Sequence, residues 1–578
     1  MILQALNKYY EQLRDDKEDE IPAFGFGVEG IDCIIELLSD GHPASVLALT
    51  EPKTSICPTP SVAMSKMGKG EFALTYKRTS GIAAYFMTDK SDYVIAGQKP
   101  ASHEEFKNLA KMVLGTTDDV GLNSFLLFLQ HSTVFSDLAK SMDEDIVKRR
   151  KIAFRLQGEA AFLHERQEAI EKWKLFLANM PGKSEGRCLI TNRQAPILPV
   201  HPSIRNKKKA FISDKGELSI VSFNFDAVES FGKGQSYNAP ISEQAAFAYT
   251  TALNHLLAPD SPRKVQMGDT TMVFWTDSPG EADKLFSFSM GGKQTEDESL
   301  GRRLGSYLSD IVRGRYPEAL GRVDTPFYVL GLSPNAARLS VRFWLVSTVG
   351  DMVENLGAHF RALAIQRRFD GDPEHPSPWQ LLKELAPQRD SKNISPLLYG
   401  QMMRSIIQNL PYPQTLLSSA LGRIRADKEI NYLRAALIKA FLVRNRKQEM
   451  HMTLDTTNTD IGYRLGRLFA IVERIQEEAV PGANATVRDR FFSSATATPG
   501  HTFPIILKNA QHGLAKIRKD KPGWAVTLEK QIQDIVGGID AATGFPASLS
   551  SEKQGMFILG YYQQRQDFFT KKENKTEG

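Results

Sequence analysis

Cysteine is scarce: only Cys33, Cys57 and Cys188 occur in a chain of 578 residues. Three widely spaced thiols give no disulfide framework, and their odd number suits a reducing compartment. Long apolar runs are missing as well. The longest charge-free stretch, residues 405–422, contains Gln408, Asn409, Pro411, Pro413 and Gln414. A bilayer span needs ~20 mostly apolar residues, so no transmembrane helix is expected. No one sign of charge dominates, with 72 Lys and Arg against 67 Asp and Glu. That balance of +5 permits an anionic partner without demanding one. Glycine and proline, at 42 and 29, stay near ordinary frequencies, which excludes collagen-like and low-complexity classes. The first residues, Met1 to Lys8, reach charge too early for the apolar core of a signal peptide. The expectation is a soluble, cytoplasmic chain of roughly two to four domains.

What is present changes character along the chain. Leu3, Leu6, Tyr10 and Leu13 have helical spacing. Apolar runs at 31–38 and 45–49 flank Asp40-Gly41, a hairpin signal. The Pro- and Ser-rich stretch 52–61 predicts a loop, and 72–76 a strand. Helical patterns cover 103–116, 120–140 and 143–179, the last with Asp143 as a plausible cap. Residues 181–245 predict loops with short strands, and strands are expected at 265–275, 326–332 and 339–346. In the last of these, Leu339, Val341 and Phe343 share one face and Arg338, Ser340 and Arg342 the other. Beyond that point helical periodicity takes over: 349–369, 396–410, 425–447, 460–480, 503–519, 524–537 and 551–570. The fold class is therefore α+β, with a mixed N-terminal domain over 1–345 and an all-helical C-terminal region over 346–578.

Linear catalytic motifs are few. The chain has no Gly-x-x-x-x-Gly-Lys-[Ser/Thr], His-Glu-x-x-His, Gly-x-Ser-x-Gly or Cys-x-x-Cys. Cys188 and His201 could offer two metal ligands, but two do not complete a tetrahedral site, and a buried thiol is the competing reading. Gly25-Phe26-Gly27-Val28-Glu29-Gly30 matches a dinucleotide-binding pattern in form only. That loop must open a helix, and residues 31–38 instead run into the Asp-Gly turn. No cofactor and no resident metal are expected. Scattered carboxylates such as Asp269 and Asp277 keep a metal-dependent nuclease as the alternative.

Two features suit nucleic acid. In a helix over 425–447, Ile430, Leu433, Leu437 and Phe441 form an apolar stripe within about 80°. Arg425, Lys428, Lys439 and Arg446 form a basic ridge ~32 Å long on the opposite side, fit to follow phosphates. A merely solvated face is the competing reading. The second feature is Ser230-Phe231-Gly232-Lys233-Gly234-Gln235-Ser236-Tyr237-Asn238-Ala239-Pro240. Its glycines permit close backbone approach, Lys233 offers a charge, and the amides of Gln235 and Asn238 can read base edges. Ser242 then caps a helix, and a plain Gly-rich linker is the alternative.

Several segments together resemble the large subunit of the type I-C CRISPR surveillance complex (Cascade). They are Lys77-Arg78-Thr79-Ser80-Gly81, Ser222-Phe223-Asn224, residues 230–240 with 247–254, Gly268-Asp269-Thr270-Thr271, residues 330–344 and 463–469, Asn484-Ala485-Thr486-Val487-Arg488-Asp489, and residues 560–566. One departure is Phe231, where the family often has Tyr. The resemblance implies a non-catalytic subunit in antiviral defence that recognises the protospacer-adjacent motif (PAM) and stabilises the R-loop. Guide RNA reads the rest of the target by base pairing. The implied PAM and duplex contacts are Gly232, Lys233, Gln235 and Asn238, with Lys77, Arg78 and Asn224 next. Implied partners are the guide-RNA ribonucleoprotein, the backbone and other Cascade subunits, target double-stranded DNA, and a helicase–nuclease recruited after opening. A small subunit made from an internal start is also implied, with Met450 or Met452 as its first residue and 450–578 as its extent.

Overall fold

In a computed structural model, the structure describes residues 2–16, 21–58, 82, 84–95, 99–131, 151–179, 184–206, 210–223, 226–267, 269–277, 280–291, 298–482, 484–540 and 542–569. It divides into two compact units, Met1–Ser261 with Pro334–Ser340, and Pro262–Ser333 with Val341–Gly578.

The first unit is built on a four-stranded sheet. After helix α1 (Ile2–Asp15) come β1 (Phe26–Leu37) and β2 (Pro43–Pro58), antiparallel, with Ile34 opposite Leu47. The short β3 (Asp89–Lys90) and α2 (Ser91–Val94) lead to α3 (Pro100–Leu114) and α4 (Val120–Phe128). Then β4 (Lys151–Leu156) returns parallel to β1, and the strand order is β2-β1-β4-β3. The hairpin expected around Asp40-Gly41 is present. The helix expected over 143–179 is not continuous: among its described residues, 151–156 are the strand β4, whose Ile152, Ala153 and Phe154 are buried, a single 3-10 turn spans Leu163–Glu165, and the α-helix is α5 (Gln167–Ala178). Asp143 and the strand expected at 72–76 lie outside the described residues. Two small hairpins follow, β5 (Glu185–Arg187) with β6 (Gln194–Pro196) and β7 (Ile204–Arg205) with β8 (Glu217–Leu218). The unit closes on α6 (Glu243–Leu256), capped by Ser242 as its sequence suggests.

The second unit opens with β9 (Lys264–Met267), β10 (Thr270–Thr276), α7 (Ala282–Met290), α8 (Glu298–Val312), β11 (Pro326–Asn335) and β12 (Arg338–Thr348), in sheet order β12-β11-β10-β9. All later elements are helical: α9 (Val349–Leu363), α10 (Pro378–Lys383), α11 (Pro396–Ile407), α12 (Gln414–Asp427), α13 (Tyr432–Arg446), α14 (Ile461–Ala479), α15 (Val487–Ala497), α16 (Pro499–Asp520), α17 (Pro522–Gly537) and α18 (Ser551–Asp567). The change of element type thus falls at Val349, close to the expected 345/346. The compact division falls earlier, because the β9–β12 sheet shares one apolar core with the helices that follow it.

Helix α18 is the centre of this bundle, packing on α14 and on α12 and α13. Its crossing with α14 is backbone to backbone. A Cβ at Gly466 would overlap the Phe557 carbonyl, and one at Gly560 the Tyr463 carbonyl, so only glycine fits at either place. None of the described helices is long and apolar enough to cross a membrane.

Candidate nucleic-acid interface

The segment 230–240 is a latched loop with a free tip. At its base Ser236 is buried, its hydroxyl donating to the Leu198 carbonyl at 2.6 Å. The Asn238 amide donates to the carbonyls of Val228 (3.1 Å) and Ser230 (3.0 Å). The Glu229 carboxylate accepts from the Gln235 backbone nitrogen at 2.8 Å. Between these ties, residues 231–234 are exposed, and Phe231 is 94 % exposed. Phe231 (φ +58°), Gly232 (+67°) and Gln235 (+54°) all adopt left-handed backbone. For a residue with a Cβ that costs roughly 1–2 kcal/mol. A bare phenyl ring in such a conformation does little for folding, and its ring face and the neighbouring Lys233 are turned to solvent. Among the described residues the Lys233 ammonium has no ion-pair partner.

The loop brings Gly232, Lys233, Gln235 and Asn238 together, with different duties. Asn238 spends its amide protons on the loop itself. Lys233 and the half-buried Gln235 are the outward-acting pair. Lys77, Arg78 and Asn224 lie outside the described residues.

The basic ridge expected over 425–447 does not form. The single helix is two, α12 and α13. Lys428 takes a left-handed conformation (φ +54°), and the Asn431 side chain starts α13 by accepting from the Arg434 backbone nitrogen. Lys439 is buried, its ammonium donating to the Ala362 carbonyl at 3.1 Å, and burial draws its pKa down to about 8. Arg446 is paired with Glu552, and Arg425 with Gln554. Covered on several sides, α13 has no solvated stripe opposite Leu437 and Phe441.

Other candidates separate as well. Asp269 and Asp277 flank opposite ends of β10, and at ~3.3 Å per residue they stand far apart. Asp269 is paired with Arg342 at 3.2 Å, while Asp277 accepts from the Tyr328 hydroxyl at 3.1 Å. Cys188 and His201 serve different partners. The Cys188 thiol accepts from the Ser242 nitrogen at 3.3 Å, and His201 Nδ1 meets the Tyr249 hydroxyl at 2.7 Å. Burial would raise the Cys188 pKa, but hydrogen bonds from Ser242 and Thr191 outweigh it and bring the thiol to about 7. Burial alone draws His201 down to about 4. Gly27 and Gly30 lie within strand β1, so no phosphate-binding loop forms there. Among the described residues, no group of three His, Cys, Asp or Glu is placed to hold a metal.

The periodicity reading missed a basic face on α16. At about 100° per residue, Lys508, His512, Lys516 and Lys519 fall within about 80°, along ~16 Å of axis. All four are exposed. The i, i+4, i+8, i+11 spacing was available in the sequence, but Arg518, Asp520 and Lys521 around its end blur it into a general charge run. Beside this row, α14, α15 and α16 enclose a cavity of about 340 Å³.

A family model described as CRISPR-associated protein (Cas_Csd1) matches residues 6–569. No curated protein matches the chain.

Proposed function

The chain belongs to the Cas_Csd1 family of CRISPR-associated proteins, and from that premise we propose that it is the non-catalytic large subunit of a type I-C surveillance complex. In this role it recognises the PAM on target duplex DNA and stabilises the R-loop. The observation that carries the reading is the latched loop at 230–240. It holds an exposed ring, a glycine and a free ammonium at its tip, where none of them serves the fold. Lys233 meets a phosphate, Gln235 a base edge, and Phe231 presents an apolar face to a base step being opened. Exchange of a DNA duplex for an RNA–DNA hybrid is nearly balanced in energy, so a few such contacts suffice to tip it.

The partners in this reading are the guide-RNA ribonucleoprotein, the backbone subunits, a small subunit begun at Met450 or Met452, and a helicase–nuclease that arrives after opening. Lys77, Arg78 and Asn224 are proposed as further duplex contacts.

The test is equilibrium binding of a PAM-containing duplex by the complex assembled with tagged partner subunits. Lys233→Ala should weaken binding and reduce the salt slope by about 0.9, the value for one lost phosphate contact. Gln235→Ala should relax motif preference. Asn238→Ala should weaken all motifs alike, because it loosens the loop rather than a base contact. Unchanged affinity of Lys233→Ala at several salt concentrations refutes the loop assignment. Cleavage of duplex by the purified chain with Mg²⁺ refutes the non-catalytic role.

A further inference from the structure

The side chains that latch the loop at 230–240 are not equivalent. Ser236 and Asn238 spend a neutral hydroxyl and a neutral amide on backbone carbonyls. Glu229 brings a full charge. Its carboxylate accepts from the Gln235 backbone nitrogen at 2.8 Å and leans on Gly234, where the place of an added Cβ lies 3.9 Å from Oε1.

Gln235 takes a left-handed backbone conformation (φ +54°), which a residue with a Cβ avoids. A hydrogen bond to a carboxylate is stronger than one between neutral groups, so it suits the holding of a strained residue. The backbone conformation in turn fixes the direction in which the Cα–Cβ bond leaves the chain. Among the described residues the Gln235 side-chain amide has no hydrogen-bond partner of its own. Its direction is therefore set from behind, by Glu229.

The charge is out of place on a surface that meets phosphates. Residues 226–240 carry Asp226, Glu229 and Lys233, two acids against one base. Glu229 is exposed, and among the described residues no cation is paired with it. A neutral acceptor would latch the turn without repelling DNA. A carboxylate subtracts from the attraction of Lys233 for any phosphate, whatever the sequence, so a duplex must also supply the base contact to be held.

We propose that Glu229 is a positioning and specificity-determining residue: it acts through Gln235, whose side-chain amide it keeps in line with a base edge, and its charge penalises duplexes that lack that base. The inference rests on the PAM reading above and adds to it the group that sets discrimination without touching a base.

The test is titration of the assembled complex with a motif duplex and with one whose motif is scrambled, at about 0.1 and about 0.3 M salt. Glu229→Gln keeps an acceptor and removes the charge. Both duplexes should then bind about threefold more tightly at the lower salt and less so at the higher, with their affinity ratio kept. Glu229→Ala removes acceptor and charge together, and the ratio should fall about tenfold. In a Gln235→Ala background, Glu229→Ala should leave the ratio unchanged, because the residue through which it acts is gone. An undiminished ratio in Glu229→Ala, an equal loss in Glu229→Gln, or a further loss in the Gln235→Ala background overturns the positioning role. Unchanged or weaker binding by Glu229→Gln overturns the role of the charge. If Lys233→Ala and Gln235→Ala act as stated above while the Glu229 variants change nothing, this inference alone fails. If the unmodified complex does not tell the two duplexes apart, the PAM reading fails and this inference with it.

Discussion

The ammonium of Lys439 sits among apolar side chains on α13 with the Ala362 carbonyl as its hydrogen-bond acceptor. Its folded-state pKa, about 8, is below the ordinary 10.5. Below pH 8 the lysine is charged in both states, and the folded chain bears the full cost of that buried charge. Between pH 8 and 10.5 the unfolded chain holds the proton more tightly, so stability rises with pH, and above that range the cost is gone. Lys439→Met should therefore stabilise the protein at pH 7 by up to about 3 kcal/mol, with the gain shrinking towards pH 10. Urea denaturation midpoints of the two proteins at both pH values measure this, and a gain independent of pH refutes it. At the same scale, Asn238 and Lys233 differ although they are neighbours in one loop: one amide is consumed internally and one ammonium is left over. Composition presents both as candidate readers, and only the geometry separates them.

Among the elements, the α14–α18 crossing depends on glycine in a way that can be measured. Gly466→Ala should cost about 3 kcal/mol or more, because the methyl group meets backbone that cannot move aside. Gly422→Ala on α12, where nothing lies within 4 Å of the added carbon, should stabilise by about 0.5–1 kcal/mol. Equal effects in thermal unfolding would refute the contrast. Much of the element order was legible in the sequence: the β1–β2 hairpin, β11 and β12, and α14, α16, α17 and α18 all follow apolar periodicity, whereas the single strand expected at 265–275 is the antiparallel pair β9 and β10. The failures have physical causes. Residues 151–156 were absorbed into a helix because a short apolar run carries no distinguishing period, and only pairing with β1 makes it a strand. Pro52 and Pro58 suggested a loop, yet β2 is a sheet edge, where a residue without an N–H is tolerated. The ridge over 425–447 assumed one covered face for α13, but α9 and α18 both pack on it. The loop at 230–240 was legible because its glycines, lysine and amides are contiguous. The cavity beside α16 was not, since three helices brought together by tertiary packing create it.

At the scale of the whole molecule, the second unit cannot be divided at Met450 without exposing an interior. Gly555 of α18 faces Leu417, Ile438 and Leu442, and the Tyr562 hydroxyl donates to the Gln366 carbonyl. All four of those partners precede residue 450. A polypeptide begun at Met450 should therefore bind an apolar dye such as ANS and self-associate on gel filtration, whereas the full chain should do neither. A compact monomeric fragment that leaves the dye unbound would show that its helices reseal without α12 and α13. The position of α18 also sets a schedule. Translation delivers α12, α13 and α14 well before the helix they all enclose. Until residues 551–567 emerge, those earlier helices surround an unfilled axis, and nascent chains are at greatest risk of sticking to one another during that interval.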